Sequence, residues 1–207
     1  MKEQAKNTAQ LIREKAQNFP LGEPFTTRTF LNLGNRATVD QSLARLAKAG
    51  FLSRPARGVY VRPKRNAYVG EVPPEPSKVA EVIAGEFGET VQVHGAEAAR
   101  QMGLSTQVPT KPIFYTTGPN RRFYLGKLEV VLRHISPRKL ALVGRPAGIA
   151  LIALWYLGKH AVTLATLEQI RSRLEPPEFE KLRSATSSMP AWMSEVFSLL
   201  ESEQLHA

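Results

Sequence analysis

The sequence predicts an α+β protein in which an N-terminal winged helix-turn-helix is followed by a mixed α/β C-terminal domain ending in helices. Three observations predict this class. Three helical patterns are followed by two short apolar runs within the first 65 residues, a proline-rich stretch comes next, and helical patterns dominate from residue 146 onward.

Positive charge is concentrated in the first third of the chain. Residues 1–66 contain 13 Lys and Arg against 4 Asp and Glu, whereas residues 67–207 contain 15 against 14. Such an excess favours a polyanionic partner, most often duplex nucleic acid, because each neutralised phosphate releases condensed counterions. A solvated basic surface is the alternative that charge alone leaves open.

Composition makes several classes of protein less expected. Cysteine is absent, which is typical of a reducing compartment. The most apolar segment, residues 147–157, has 11 residues, well short of the ~20 that cross a bilayer, and the polar N-terminus does not resemble a secretory signal. Asp40 is the only aspartate, which disfavours a carboxylate metal site. We therefore expect a cytoplasmic protein without a bound metal or a membrane association.

The first predicted element is a helix that Pro20 and Gly22 end. Apolar side chains recur at steps of four and three residues, which places them on one helical face. The apolar stripe comprises Ala5, Ala9, Ile12, Ala16 and Phe19, and the cations on other faces are Lys2, Lys6, Arg13 and Lys15.

Two more helices and a hairpin are expected next. Thr26 or Thr27 can cap a short second helix that runs to Leu33, and Asn35 can cap a third over residues 36–49. After a closing glycine, residues 51–54 and 59–62 are predicted to be strands joined by a Pro-Ala-Arg-Gly turn, residues 55–58. The order helix, short helix, tight turn, helix, hairpin is that of a winged helix-turn-helix.

The third helix carries side chains suited to a major groove. At about 100° per residue, Val39, Leu43 and Leu46 share a buried sector, and the opposite face is polar with two small alanines, Ala37 and Ala44. Gln suits adenine, Arg suits guanine, the Thr methyl suits thymine, and groups at the helix N-terminus suit a phosphate. A solvated helix face is the alternative. The predicted DNA contacts of this helix are Asn35, Arg36, Thr38, Gln41, Arg45 and Lys48.

The hairpin adds a second basic element, expected to follow the DNA backbone or enter a minor groove, where Arg is favoured. Tyr60 is expected to pack in the core, with stacking on nucleic acid as the alternative. The predicted DNA contacts are Arg54 and Arg57 beside the turn, and Lys64 and Arg65 after the second strand.

Residues 68–77 are predicted to be a linker, because three prolines within four positions favour a stiff, extended segment. This divides the chain into a DNA-binding domain, residues 1–67, and a C-terminal domain, residues 78–207. In the C-terminal domain strands and helices alternate, and residues 140–143 are predicted to extend its sheet.

No catalytic or metal-binding constellation stands out. The four histidines lack the i, i+4 spacing of a helical metal pair, and neither a phosphate-binding glycine loop nor a Gly-x-Ser-x-Gly elbow is found. His94 is expected to be a hydrogen-bonded structural residue. We predict no enzymatic activity and no cofactor; an enzyme that acts on nucleic acid through Glu97, Glu129 or His94 is the alternative.

Two stretches of the chain resemble AbiEi-type antitoxins. The first is NRATVDQSLARL, residues 35–46, followed by GFL at 50–52 and RGVY at 57–60. The second is more discriminating and comprises GAEAARQMGLSTQVP, residues 95–109, with YTTGP at 115–119.

The resemblance implies a type IV toxin–antitoxin system. Such an antitoxin represses its own operon through a winged helix bound to inverted repeats in the promoter. Its C-terminal domain counters a nucleotidyltransferase-like toxin, and a stable complex with the toxin is not required. The expected partners are therefore promoter DNA and that toxin. A winged-helix transcription factor with a ligand- or partner-sensing C-terminal domain and no toxin is the alternative.

Overall fold

The computed structural model describes residues 7–206, which form eight helices and nine short strands in three sheets. The predicted α+β class is therefore confirmed. The chain divides into two compact units: the first takes the chain up to Glu89 with Arg122–Val130, and the second takes Thr90–Arg121 with the chain from Val131 onward. Three residues of the predicted first helix pattern, Lys2, Ala5 and Lys6, lie outside the described range.

The first unit surrounds a three-stranded antiparallel sheet of order β1-β3-β2, with Phe25 opposite Tyr60. Ile12, Phe30 and Leu43 are fully buried beside it. The elements are α1 (Thr8–Gln17), β1 (Pro24–Thr26), a 3₁₀ turn (Thr27–Phe30), α2 (Arg36–Lys48), β2 (Ser53–Ala56), β3 (Val59–Val61), β4 (Lys64–Asn66), β5 (Gly70–Val72) and α3 (Pro76–Gly85).

The second helix predicted up to Leu33 is only the 3₁₀ turn. The strand β1 comes before it, because Pro24–Thr26 pair with Val59–Val61 as the third strand of the sheet. Thr26 does not cap a helix; its hydroxyl donates instead to the carboxylate of Glu86.

The first strand of the hairpin begins two residues later than predicted. Gly50 adopts a left-handed conformation, φ 73°, and the amides of Phe51 and Leu52 both bond the carbonyl of Leu46, at 3.0 and 3.2 Å. These amides close α2 and are therefore not available to the strand ladder. Pro55 and the following alanine belong to β2, so that the turn is shorter than predicted.

Residues 68–77, predicted to be a linker, complete the β4–β5 hairpin and begin α3. Proline at the first position of a helix costs no hydrogen bond, which is why Pro76 starts α3 rather than preventing it. This helix packs on β1 and β3, and Lys78 bonds Glu23 at 2.6 Å. The first unit therefore continues past residue 67, where the sequence placed its end.

The second unit is built around a helix that is apolar on all sides. Seven residues of α5 are buried, and it packs against α4 and α7. Residues 140–143 do not extend the sheet, because Pro137–Leu140 form a 3₁₀ turn and Leu142 has a φ of 62°. The elements that follow α3 in the chain are β6 (Val91–Val93), α4 (Gly95–Gln101), β7 (Ile113–Thr116), β8 (Arg121–Leu125), β9 (Leu128–His134), α5 (Pro146–Leu157), α6 (Leu164–Arg173), α7 (Pro176–Ser184) and α8 (Ala191–His206).

A four-stranded sheet has the order β6-β7-β9-β8, with β6 antiparallel and β9 parallel to β7. Most of β8 and the first residues of β9 fall within Arg122–Val130, which the division assigns to the first unit. Among the described residues, no helix combines the length and the apolarity needed to span a bilayer.

A carboxylate from α7 closes the N-terminus of α5. Glu178 accepts hydrogen bonds from the guanidinium of Arg145 at 2.8 and 3.1 Å, from the backbone amide of Ala147 at 3.2 Å and from Lys181 at 3.2 Å. Arg145 foremost, with the amide and the lysine, lowers the pKa of Glu178 to about 2. The free amides at the start of α5 are thereby joined to a negative charge, which the helix dipole favours.

Glu178 should make the stability of the second unit depend on acid pH. Its folded pKa is depressed, so the stabilising contribution is present above the ordinary value of 4.5 and is lost as pH falls toward 2. Glu178→Gln should lower the urea midpoint at pH 7 and flatten its decline between about pH 5 and 3. Glu180→Gln, on the same helix and paired with Arg183, is the control and should leave the decline unchanged. An unaltered acid decline in Glu178→Gln would contradict this assignment.

Candidate nucleic-acid interface

The candidate interface is the exposed side of α2 together with the hairpins that follow it. Asn35 caps α2, since its side-chain oxygen accepts the amide of Thr38 at 2.9 Å. Val39 and Leu43 are fully buried. Because successive helical residues are 100° apart, that burial turns the opposite face toward solvent.

The outward face of α2 contains the predicted residues. The head groups of Gln41 and Arg45 lie side by side, with a guanidinium nitrogen 3.5 Å from the amide oxygen. Thr38 is only half-buried, and its carbonyl accepts the hydroxyl of Ser42 at 2.8 Å. The exposed side chains are Asn35, Arg36, Ala37, Gln41, Ala44, Arg45 and Lys48.

The single aspartate ties α2 to the preceding turn. Asp40 accepts the hydroxyl of Thr27 at 2.7 Å and lies 3.7 Å from the guanidinium of Arg36. The side chain of Arg36 is still 70% exposed, so most of its donors face solvent. The side-chain oxygen of Asn35 is committed to the cap, which leaves only its NH₂ group for an anion.

A cavity of about 610 Å³ is bounded by α2, the β2–β3 hairpin and α3. Three guanidinium groups and two carboxylates line it, and each carboxylate accepts a hydrogen bond from a threonine hydroxyl. The surplus positive charge favours an anion at this surface. The charged lining residues are Arg36, Arg54, Arg57, Asp40 and Glu86.

The β2–β3 hairpin holds its cations on a firm base. Arg57 and Gly58 form the turn, where the glycine has a φ of 77°. The guanidinium of Arg54 lies 5.7 Å from the ring centre of Tyr60. Tyr60 is 4% exposed and stacks on Phe25, which confirms that it belongs to the core.

Lys64 and Arg65 lie on a second hairpin that the sequence analysis missed. Both are exposed residues of β4, and Arg65 is directly opposite Glu71 of β5. A signal for this hairpin exists in the sequence. Asn66 and Gly70 bracket three residues, and each is a residue type that favours a turn. The prolines that follow favoured an extended linker instead, so the hairpin was not predicted.

The residues considered for catalysis have structural partners. His94 accepts a backbone amide at the start of α4 at 3.2 Å, and burial foremost lowers its pKa. Glu97 binds the guanidinium of Arg100 at 2.6 and 2.8 Å. Glu129 lies 3.5 Å from Arg122 and belongs to the first unit rather than the second. Within residues 7–206, no three potential ligands group as a metal site.

Comparison with known proteins gives two matches. The model of a family of unknown function (DUF6088) matches residues 11–182. None of the curated proteins matches the chain. Among solved structures, the crystal structure of the RV2827C protein from Mycobacterium tuberculosis is 14% identical, with a TM-score of 0.44 over 93% of this chain and 75% of that one.

The cap of α2 gives a prediction about stability. Asn35→Ala removes the acceptor of the Thr38 amide and should cost about 1 kcal/mol of the free energy of unfolding. Asn35→Asp keeps an acceptor at the positive end of the helix dipole and should equal the parent or exceed it. Hydrogen exchange of the α2 amides measures the difference. An equal loss in both variants would show that the cap is not what stabilises this end.

Proposed function

The chain belongs to DUF6088, a family of unknown function, and we propose that it is a cytoplasmic transcriptional repressor that binds duplex DNA through its first unit. One observation carries the proposal: the exposed face of α2 presents Gln, Arg and Lys side chains next to hairpins that carry further cations. In the proposed complex the operator consists of inverted repeats in the promoter of the protein's own operon.

We interpret the first unit as a winged helix-turn-helix. The element order and the sheet order β1-β3-β2 support this interpretation. In that fold, α2 takes the place of the recognition helix, and the β2–β3 hairpin takes the place of the wing. The 3₁₀ turn stands where a full second helix is more usual.

Base recognition is assigned to the centre of α2. Arg45 pairs with a guanine and Gln41 with an adenine, each through two hydrogen bonds in the major groove. Their head groups are 3.5 Å apart, which suits neighbouring base pairs. Ala37 and Ala44 are small and exposed, so they let the helix approach the base edges.

Phosphate contacts are assigned to the surrounding cations. Those at the start of α2 benefit from the positive end of the helix dipole, and those of the hairpins extend the basic surface away from it. Such contacts fix the position of the protein without selecting a sequence. The assigned residues are Asn35, Arg36, Lys48, Arg54, Arg57, Lys64 and Arg65.

Binding to the DNA upstream of the coding sequence tests the repressor. Gln41→Ala/Arg45→Ala should abolish the preference for that DNA over a scrambled duplex, because each lost base contact costs about 1–3 kcal/mol. Lys64→Ala should instead weaken binding to both duplexes alike and reduce the salt slope by about 1. Fluorescence anisotropy at several salt concentrations measures both effects.

The chain provides a matched control for the double variant. Arg13 and Gln17 are also an Arg and a Gln spaced by four residues, and both are exposed on α1. Arg13→Ala/Gln17→Ala should leave the preference intact. Retained preference in Gln41→Ala/Arg45→Ala would refute the assignment of base contacts. A parent protein that binds neither duplex would refute the repressor.

We further propose that the second unit acts as the antitoxin of a type IV system. The likeness of residues 95–109 and 115–119 to AbiEi-type antitoxins supports this role. Packing in the structure explains the presence of two glycines in that stretch. A Cβ at Gly95 would overlap the ring of Tyr156, and Gly103 has a φ of 71° beside the guanidinium of Arg173. The resemblance, rather than the geometry, is therefore what supports the antitoxin role.

The neighbouring reading frame tests the antitoxin role. A nucleotidyltransferase-like neighbour should arrest growth when expressed alone, and co-expression of this full chain should restore growth. Gln41→Ala/Arg45→Ala should restore growth equally, because neutralisation is assigned to the other unit. Growth arrest that the chain does not relieve would instead favour a winged-helix regulator whose second unit senses a ligand or partner.

A further inference from the structure

The β4–β5 hairpin ends in two exposed apolar side chains. Tyr68 is 96% exposed and Val69 is 72% exposed, and both lie in the turn between the strands. Isolated apolar residues are common on protein surfaces, but an adjacent pair at the end of a projecting hairpin forms a distinct contact point.

The tip is held in a defined shape. The side-chain oxygen of Asn66 accepts the amide of Tyr68 at 2.8 Å, and Gly70 provides the left-handed residue that closes the turn, with a φ of 74°. Asn66 pairs with Gly70 across the ladder, which leaves a three-residue loop. A preorganised tip loses little conformational entropy when it binds a partner.

The surroundings of the tip are strongly basic. Residues 53–72 contain five Lys and Arg and one acid, Glu71, which is directly opposite Arg65. Tyr68 follows Arg65 by three residues, so their Cα atoms are within about 10 Å of each other. A basic arm with an aromatic end matches nucleic acid, because phosphates neutralise the cations and base faces accept the ring.

The second hairpin also stands beside the first. A cavity of about 240 Å³ is lined by Ser53, Arg54 and Pro55 of β2 and by Glu71 of β5. Arg54 also lines the larger cavity next to α2. Arg54 therefore lies on both cavities, which places the β2–β3 hairpin next to α2 on one side and next to the β4–β5 hairpin on the other.

We propose that the β4–β5 hairpin is a second DNA-binding arm that enters a minor groove next to the site of α2. Lys64 and Arg65 contact phosphates at the groove edge, and Tyr68 with Val69 inserts at a base step and partly unstacks it. Minor-groove proteins insert apolar side chains flanked by cations in this way and kink the duplex. The proposal rests on the proposed function, because the arm acts only if the first unit binds DNA.

A fluorescent base tests the arm directly. 2-Aminopurine brightens when it is unstacked, so it is placed at successive steps of the upstream duplex. The parent should give a fluorescence increase at a step outside the major-groove site. Tyr68→Ala/Val69→Ser should lose that increase and bind about tenfold more weakly, whereas Tyr68→Phe should keep both. Tyr124→Ala, which removes another exposed tyrosine of the same unit, is the control and should behave as the parent.

The outcomes separate the arm from the repressor. A parent that binds DNA with a preference dependent on Gln41 and Arg45, but whose Tyr68→Ala/Val69→Ser variant keeps its affinity and its fluorescence increase, overturns the arm alone. A parent without DNA binding overturns both proposals. If the tip variant instead loses self-association in sedimentation while its DNA affinity is unchanged, the tip contacts a second copy and the arm is overturned. Hydrogen exchange of the Asn66 and Gly70 amides checks that each variant keeps the hairpin.

Discussion

Val39 and Leu43 are fully buried in the core of the first unit, and their burial fixes the rotation of α2 about its axis. Burying such a side chain contributes about 1.5–3 kcal/mol, whereas an exposed pair such as Arg36 with Asp40 contributes about 0.3–0.5. The core therefore decides which residues face outward. Since Gln41 does not take part in that packing, its chemistry is free to serve recognition without weakening the fold.

The elements that the sequence predicts well are those whose signal is local. The periodicity of α2 and the cap at Asn35 lie within fifteen residues, and both appear in the structure. The strand β1 could not be predicted in this way, because Pro24–Thr26 become a strand only by pairing with Val59–Val61. A pattern of three residues contains too little information to predict pairing with a strand so far along the chain. The prolines of residues 68–77 led to a wrong linker prediction for a related reason, since Pro76 begins a helix that packs on that same sheet.

The residues of the candidate site also differ in whether their signal in the sequence is local. Helical spacing was enough to place Gln41 and Arg45 on the outward face, since that face follows from the buried one. It was not enough to identify Tyr68, because a tyrosine in a supposed linker has no special meaning. Only the pairing of Lys64–Asn66 with Gly70–Val72 turns that segment into a hairpin and its middle into a tip. Asn66 and Gly70 were the available signal for a turn, but they predict a hairpin only once the segments on either side are known to be strands.

The two units call for different kinds of argument about function. Residues 1–66 carry a net charge of +9, and the acids of residues 67–89 reduce the net charge of the whole first unit to +6, which still favours a polyanionic partner. The second unit carries +4, and its charge is not gathered in one stretch of the sequence, so a partner there has to be recognised by shape and by particular contacts. The stretch that resembles the antitoxins contains Gly95, which leaves room for Tyr156 of α5, and Gly103, which adopts a left-handed conformation just after α4. Sequence similarity that reflects a shared packing requirement supports a shared fold more directly than a shared function. The proposed role of the second unit therefore has to be tested through a candidate partner, whereas the proposed role of the first can be tested with DNA alone.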